Sequence, residues 1–276
     1  MILIKNNNSS SHPLVSIIII TLNESKTIVK SISTVKEASR FPSGKSIPIE
    51  IIVSDGGSTD DTQKIARKFA DVVIQGPRGR YQQSNLGGKI AKSEILMFLH
   101  SDVLLQPGAI IRVVYHLKKP IIIGGAFSKS WKWSKNYTPT SFAKVAVPIF
   151  QWAGNLWFRV LKIFPADNII FIRKSSFEEL NGFAPMWICE GFDLSRRMKK
   201  HAKKSITKKI WINRGRKGIA CIHHCSVYTS TRRFEKEGFI KTFFKWLFMF
   251  FFWRLGMSQD GLRNIFRNYN DAPNTD

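Results

Sequence analysis

Apolar residues occur in this chain as short unbroken runs that stop at acidic or hydroxyl-bearing residues. That is the pattern of strands covered on both faces whose ends open onto a polar edge. The first run begins at Val15 and gives way after Ile20 to Thr21, Leu22, Asn23, Glu24 and Ser25, where a helix pattern starts. In the second, the apolar positions before Ser54 lead to Asp55, Gly56 and Gly57, which permit a tight turn, and Ser58 to Asp61 then offer helix caps. A third, from Glu94, passes through His100 and Ser101 to Asp102, and a helix is predicted to begin near Pro107. Strand and helix in alternation predict an α/β domain with a mostly parallel sheet. Ligands of such sheets bind beyond the carboxyl ends of the strands. There Asp55 either holds a ribose hydroxyl or a base N–H, or only caps the next helix.

Taken together, Thr21-Leu22-Asn23-Glu24 after one strand and Asp55-Gly56-Gly57-Ser58 after the next resemble the family 2 glycosyltransferases, with Ile20 where that family usually has proline. Further segments follow in the family's order. GRYQQSNLG from Gly79 resembles a Gly-Arg-x-x-Gln-x-Asn-x-Gly segment of one bacterial branch, and His100-Ser101-Asp102 resembles its His-x-Asp form of the metal motif. GGAFSKSW from Gly124 matches a Gly-Gly-Ala-Phe strand. PADNIIFIRKSSFEELNGF from Pro165 matches a Gly-Asp-Gln segment, with Ala166 and Asn168 as departures. CEGFDLSRRM from Cys189 and TSTRRFEKEG from Thr229 match two later motifs, so the resemblance runs from about residue 14 to 262.

The resemblance implies a single GT-A domain and transfer of a sugar, with inversion, from a nucleotide diphosphate donor. It assigns donor contacts to Thr21, Leu22, Asn23, Glu24, Asp55, Gly56, Arg80, Ser101 and Asp102, with Arg80 reaching a phosphate or the base. Asp102 would also hold a divalent ion, Mn or Mg, because a hard cation prefers oxygen ligands. Inversion needs a general base, which family members place at a Glu-Asp pair; here Glu190 is followed by Gly191. Glu190 is the favoured base. Asp193 is second, with pairing to Arg196 or Arg197 as its alternative role, and Asp167 is third, as a contact to the sugar.

At 276 residues the chain needs only one core. We expect a disordered lead-in over 1–13, a donor-binding half over 14–128, an acceptor-binding half over 129–230 and a helical segment over 231–276. Three cysteines without a disulfide framework fit a reducing compartment, so the expected location is cytoplasmic, on the inner face of the cell membrane. The CIHHC run from Cys221 suggests zinc, but alternate residues of a strand face opposite ways, which favours a packed strand; His223 or His224 could still complete the catalytic metal's shell.

A net charge of +24 calls for either an anionic partner or a tolerated surplus of charge. Nucleic acid is disfavoured, because the basic residues form no recognisable binding module and mix with Trp and Phe in the second half, as at an anionic lipid surface. Two apolar segments, Val145 to Phe164 and Phe239 to Leu255, are too short to span a bilayer comfortably, at about 20 residues needed. The first is either buried or on the membrane. The second is apolar around its whole girth for two turns and must meet protein, another subunit or lipid. A lipid or isoprenoid acceptor suits both. The alternatives are a scaffold that has lost catalysis, supported by Gly191, and nucleotidyl transfer, whose glycine-rich basic first loop is not visible after Ile20.

Overall fold

The structure, a computed structural model, describes residues 4–5, 12–133, 137–209 and 218–265. The first half alternates β1 (Ile4–Lys5), β2 (Val15–Thr21), α1 (Ile28–Ala38), β3 (Ile49–Asp55), α2 (Thr62–Ala66), β4 (Val72–Gln75), α3 (Arg80–Ile90), β5 (Ile95–His100) and α4 (Ala109–Leu117). Then come β6 (Gly124–Lys132), α5 (Ser141–Leu161), a 3-10 turn (Ala166–Asn168), β7 (Ile170–Arg173), α6 (Lys174–Glu179) and α7 (Glu190–Lys209). The chain continues as β8 (Ile219–Ser230), α8 (Arg232–Glu237), α9 (Phe239–Arg254) and α10 (Gln259–Ile265).

One eight-stranded, mostly parallel sheet runs through the molecule in the order β1-β4-β3-β2-β5-β7-β6-β8. Successive residues of β2, β3 and β5 alternate between its two faces. Ile17, Ile19, Ile51, Val53, Met97 and Leu99 pack under α1 and α4, while Ile18, Ile20, Ile52, Leu96 and Phe98 pack on the side of α6 and α7. Each such side chain contributes about 1.5–3 kcal/mol by leaving water, so both faces are strongly held and the register cannot slip. The pairing sets Thr21 opposite Asp55 and Ile20 opposite His100, which brings three strand ends into one row. β7 then runs antiparallel to β5, with Phe98 opposite Ile170, so the turn before β7 lies beside the end of β5.

Three expectations change. Ile4–Lys5, within the expected lead-in, pair antiparallel with β4, because its outer edge offers unpaired backbone groups; residues 1–3 and 6–11 lie outside the described residues. The division expected after residue 128 falls inside β6, a single strand from Gly124 to Lys132. β8 does not simply alternate at its histidines. The β6 pairing jumps from Phe127 opposite Ile222 to Ser128 opposite Ser226, and the rings of His223 and His224 lie 3.8 Å apart on the extruded stretch, both exposed.

α3 sits unusually close to the sheet because of Gly87, where a Cβ would lie 2.4 Å from Ile18 Cγ2. Gly87→Val should therefore cost about 1–3 kcal/mol through overpacking. Urea unfolding should show a lower midpoint at an unchanged slope, and a midpoint equal to that of the wild type would contradict the close packing.

Candidate active site

The end of β3 is organised by one buried carboxylate. Asp55 is fully buried, and its Oδ1 accepts hydrogen bonds from Gly57 N (3.0 Å), Ser58 N (2.8 Å) and Gln63 Nε2 (2.8 Å). Its Oδ2 accepts from Thr21 Oγ1 (3.0 Å) and Ser58 Oγ (2.5 Å). A carboxylate offers about four acceptor positions, so these five donors use its capacity. Of the two roles open to it from the sequence, these bonds supply the local one: Asp55 ties the turn after β3 to the end of β2. Gln83, on α3, donates from Nε2 to both Thr21 O (2.7 Å) and Ser54 O (2.8 Å), which makes the glutamine of the Gly-Arg segment a clamp on the two strand ends.

The loop after β2 is fixed by its neighbour. Asn23, at φ 53°, accepts from Thr59 N through Oδ1 and donates its own N–H to Ser58 Oγ, while Glu24 N donates to Thr62 Oγ1. Leu22 lies half-buried between them, and Gly56 N donates to Thr21 O. These residues thus shape the rim of the cleft through bonds among themselves.

At the end of β5, His100 and Asp102 are half-buried and Ser101 is buried. Burial, then the Arg80 guanidinium, lowers the His100 pKa to about 4 against the pull of Asp102 and Asp167, so its imidazole is neutral at pH 7. Among the described residues no three His, Cys, Asp or Glu side chains gather where they could hold a metal. The donor set therefore suits a divalent ion only if most of its oxygen ligands come from a bound diphosphate and water, with Asp102 as the protein's carboxylate. His223 and His224 do not join this set: both lie near His116, and His223 also near Arg159 and Lys162.

Across the cleft the carboxylates separate in role. Asp193 is spent on arginines, with Oδ1 accepting from Arg196 (3.1 Å) and Oδ2 from Arg197 Nε (2.6 Å), and Arg197 goes on to donate to Leu180 O and Gly182 O. This corrects its candidacy as a base; it is a first-turn acid that fixes α7 to the loop after α6. Glu190 is 3% exposed, with Oε1 3.7 Å from Arg80 NH1 and without a hydrogen-bond partner. Burial raises its pKa in spite of Arg80. Asp167, in the 3-10 turn, accepts from Lys129 Nζ through Oδ2 at 2.8 Å.

Lys129 is the residue that sequence reasoning missed. It is 7% exposed, and its ammonium lies 5.3 Å from the ring centre of Trp131 and 5.5 Å from that of Trp246. Asn155 and Gln151 of α5 bond the backbone of Lys129 and Trp131, which holds this part of β6 rigid. A signal was present: Lys129 stands in strand phase with the buried Phe127 and the half-buried Trp131, and a cation in phase with such aromatics needs a partner.

Residues 16–180 match the family model of glycosyl transferase family 2. The glycosyltransferase AglE of Haloferax volcanii is 34% identical over 101 residues, 34% of this chain and 32% of that protein. The crystal structure of S. aureus TarS superposes with a TM-score of 0.54 at 17% identity, covering 79% of this chain and 37% of TarS. Mannosyltransferase PcManGT from Pyrobaculum calidifontis, in complex with GDP-Man and Mn2+, gives 0.51 at 18% identity, over 77% of this chain and 57% of its own. The chain thus spans well under half the length of AglE and TarS. The fold is that of a single GT-A domain.

Asp55→Asn keeps the shape of the side chain but turns an amide NH2 toward the N–H and O–H donors that surround it. The loss should be about 1–3 kcal/mol, since buried donors are left unpaired. Urea unfolding would read this as a fall in midpoint, and wild-type stability would refute the organising role of Asp55.

Proposed function

The chain belongs to the family 2 glycosyltransferases, and on that premise we propose that it transfers a sugar, with inversion, from a nucleotide diphosphate sugar to a hydroxyl or carboxyl acceptor carried by a lipid at the membrane surface. The observation that carries the reading is the row of strand ends in which Thr21, Asp55 and His100 stand side by side, with Asp102 just beyond. Arg80 faces the diphosphate, and its position is set by Glu190. A divalent ion held by Asp102 would supply charge stabilisation to the departing diphosphate. The rim loops held by Asn23 and Glu24 bound the nucleotide, and the neutral His100 adds no charge to compete with a cation. A scaffold that binds donor without turning it over is the second reading, favoured by Gly191.

The lipid side of the proposal is supported by two adjacent helices. α5 exposes Phe142, Val145, Ile149, Trp152, Leu156 and Val160 along one stripe, and α9 exposes Phe244, Leu247, Phe248 and Phe251. The helices touch through Phe150, whose ring centre is 5.7 Å from that of Phe239 and 4.7 Å from that of Phe243, so the two helices adjoin. Lys144, Arg159, Lys241 and Arg254 are exposed on the same helices. No described helix is long and apolar enough to cross a membrane. Apolar bulk flanked by cations suits an in-plane contact with anionic lipid on the cytoplasmic face.

Two measurements test the proposal. Calorimetry should find that UDP or GDP binds the wild type far more tightly with Mn2+ than with chelator, and that Asp102→Asn removes the difference. Equal affinity under both conditions in the wild type would refute the role of Asp102. In sedimentation with anionic vesicles, the triple change Trp152→Ser, Phe248→Ser and Phe251→Ser should release more protein than high salt, which screens only the charges. A wild type that stays in the supernatant with both anionic and neutral vesicles would refute lipid contact, and a dimer in solution would then account for the apolar stripes.

A further inference from the structure

Position 191 holds no side chain, and the structure shows why none fits. A Cβ on Gly191 would lie 2.3 Å from Ala166 N, 2.7 Å from Ala166 Cα and 2.8 Å from Pro165 C. Those atoms are backbone and cannot step aside. The turn Ala166–Asn168 therefore occupies the space into which an acid at 191 would project, and it brings a carboxylate of its own, Asp167.

We infer that Asp167 takes the proton of the acceptor hydroxyl, with Lys129 as the positioning residue that holds its carboxylate at the cleft. The inference rests on the transferase reading and deepens it. β7 pairs Phe98 with Ile170, which sets the turn beside His100 and next to the place assigned to the diphosphate. The side chain of Asp167 is 32% exposed, against 4% for Glu190. A base must meet an acceptor that arrives from solvent, so this difference decides between them. Glu190 instead faces Arg80 and a small, largely apolar cavity lined by Ile20, Phe98, His100 and Phe183. Its carboxylate fixes the guanidinium that meets the donor.

Among the described residues, Lys129 from β6, His100 from the end of β5, Arg80 from α3 and Glu190 from α7 act on or with Asp167. Burial opposes its ionisation, but Lys129, His100 and Arg80 together hold its pKa below the ordinary carboxylate value. It is therefore ionised throughout the working pH range. In the displacement the acceptor oxygen forms its bond to the anomeric carbon with one of its own electron pairs. The bond from that carbon to the diphosphate oxygen breaks, and its electron pair leaves with the diphosphate. The acceptor's proton passes to Asp167 Oδ2, which keeps a second lone pair beside its bond to Lys129, and from there to water. A weakly basic carboxylate suffices, because the hydroxyl becomes strongly acidic as its oxygen bonds to carbon.

The test uses the full chain, Mn2+ and a panel that includes UDP-N-acetylglucosamine and GDP-mannose. Donor binding is followed by calorimetry, and release of free nucleotide is followed with water as the acceptor. Asp167→Asn should lower release by about 10²–10⁴-fold while donor affinity stays nearly unchanged. Glu190→Gln should mainly weaken donor binding. Lys129→Met tests positioning without removing the carboxylate. With the cation gone, the pKa of Asp167 rises, so the loss of rate on acidification should begin at higher pH than in the wild type, and Lys129→Arg should restore the wild-type profile. The inference is overturned if Glu190→Gln costs as much rate as Asp167→Asn with donor binding intact, if Lys129→Met leaves the profile in place, or if the wild type binds a donor and releases no nucleotide. A wild type that binds no nucleotide sugar at all would instead remove the transferase reading.

Discussion

Two parallel neighbours in a sheet share no tight turn, so nothing in their connection holds their carboxyl ends together. In this chain that task falls to Gln83 and Asp55. The Gln83 amide joins the carbonyls of Thr21 and Ser54, and the Asp55 carboxylate gathers donors from β2, from its own turn and from α2. Both side chains are buried, where an unpaired polar group is costly, so the network is formed whole or not at all. The cleft, the placing of Arg80 on the first turn of α3 and the nearness of β5 all depend on those strand ends staying together.

Beyond that row the site is a chain of alternating charges. Lys129 meets Asp167, Asp167 feels His100 and Arg80, and Arg80 meets Glu190. Burial works against ionisation of both carboxylates, and the neighbours hold the pKa of Asp167 down while that of Glu190 is pushed up. Two carboxylates in one cleft thereby acquire different protonation tendencies. The less exposed one lies beside Arg80, and the more exposed one is held by Lys129.

The aromatic half of the molecule serves two faces at once. Trp246 and Trp253 turn inward from α9, one over Lys129 and the other against Phe192 at the start of α7, while Phe244, Phe248 and Phe251 turn outward. A helix apolar on all sides cannot satisfy every residue against one neighbour. Its inner side packs Trp246 over Lys129, and its outer side stays exposed. The same helix thus carries both the ring that packs on Lys129 and the exposed aromatics.

The order of strands and helices was legible in the sequence because a strand buried on both faces must read as an unbroken apolar run, and its polar end must read as a break. So were the family motifs, the cleft and the apolar helices. The roles of the carboxylates were not. Asp55 reads as a donor contact or a cap and Asp193 as a base or a partner of Arg196 or Arg197, and only the tertiary structure shows their oxygens taken by Thr21, Gln63, Arg196 and Arg197. Lys129 and Asp167 lie 38 residues apart and meet only because β6 and the turn before β7 are brought together by the sheet. The sequence alone showed that position 191 lacked an acid; only the tertiary structure showed the backbone of Pro165 and Ala166 filling that space, because steric exclusion between distant segments leaves no trace in local pattern.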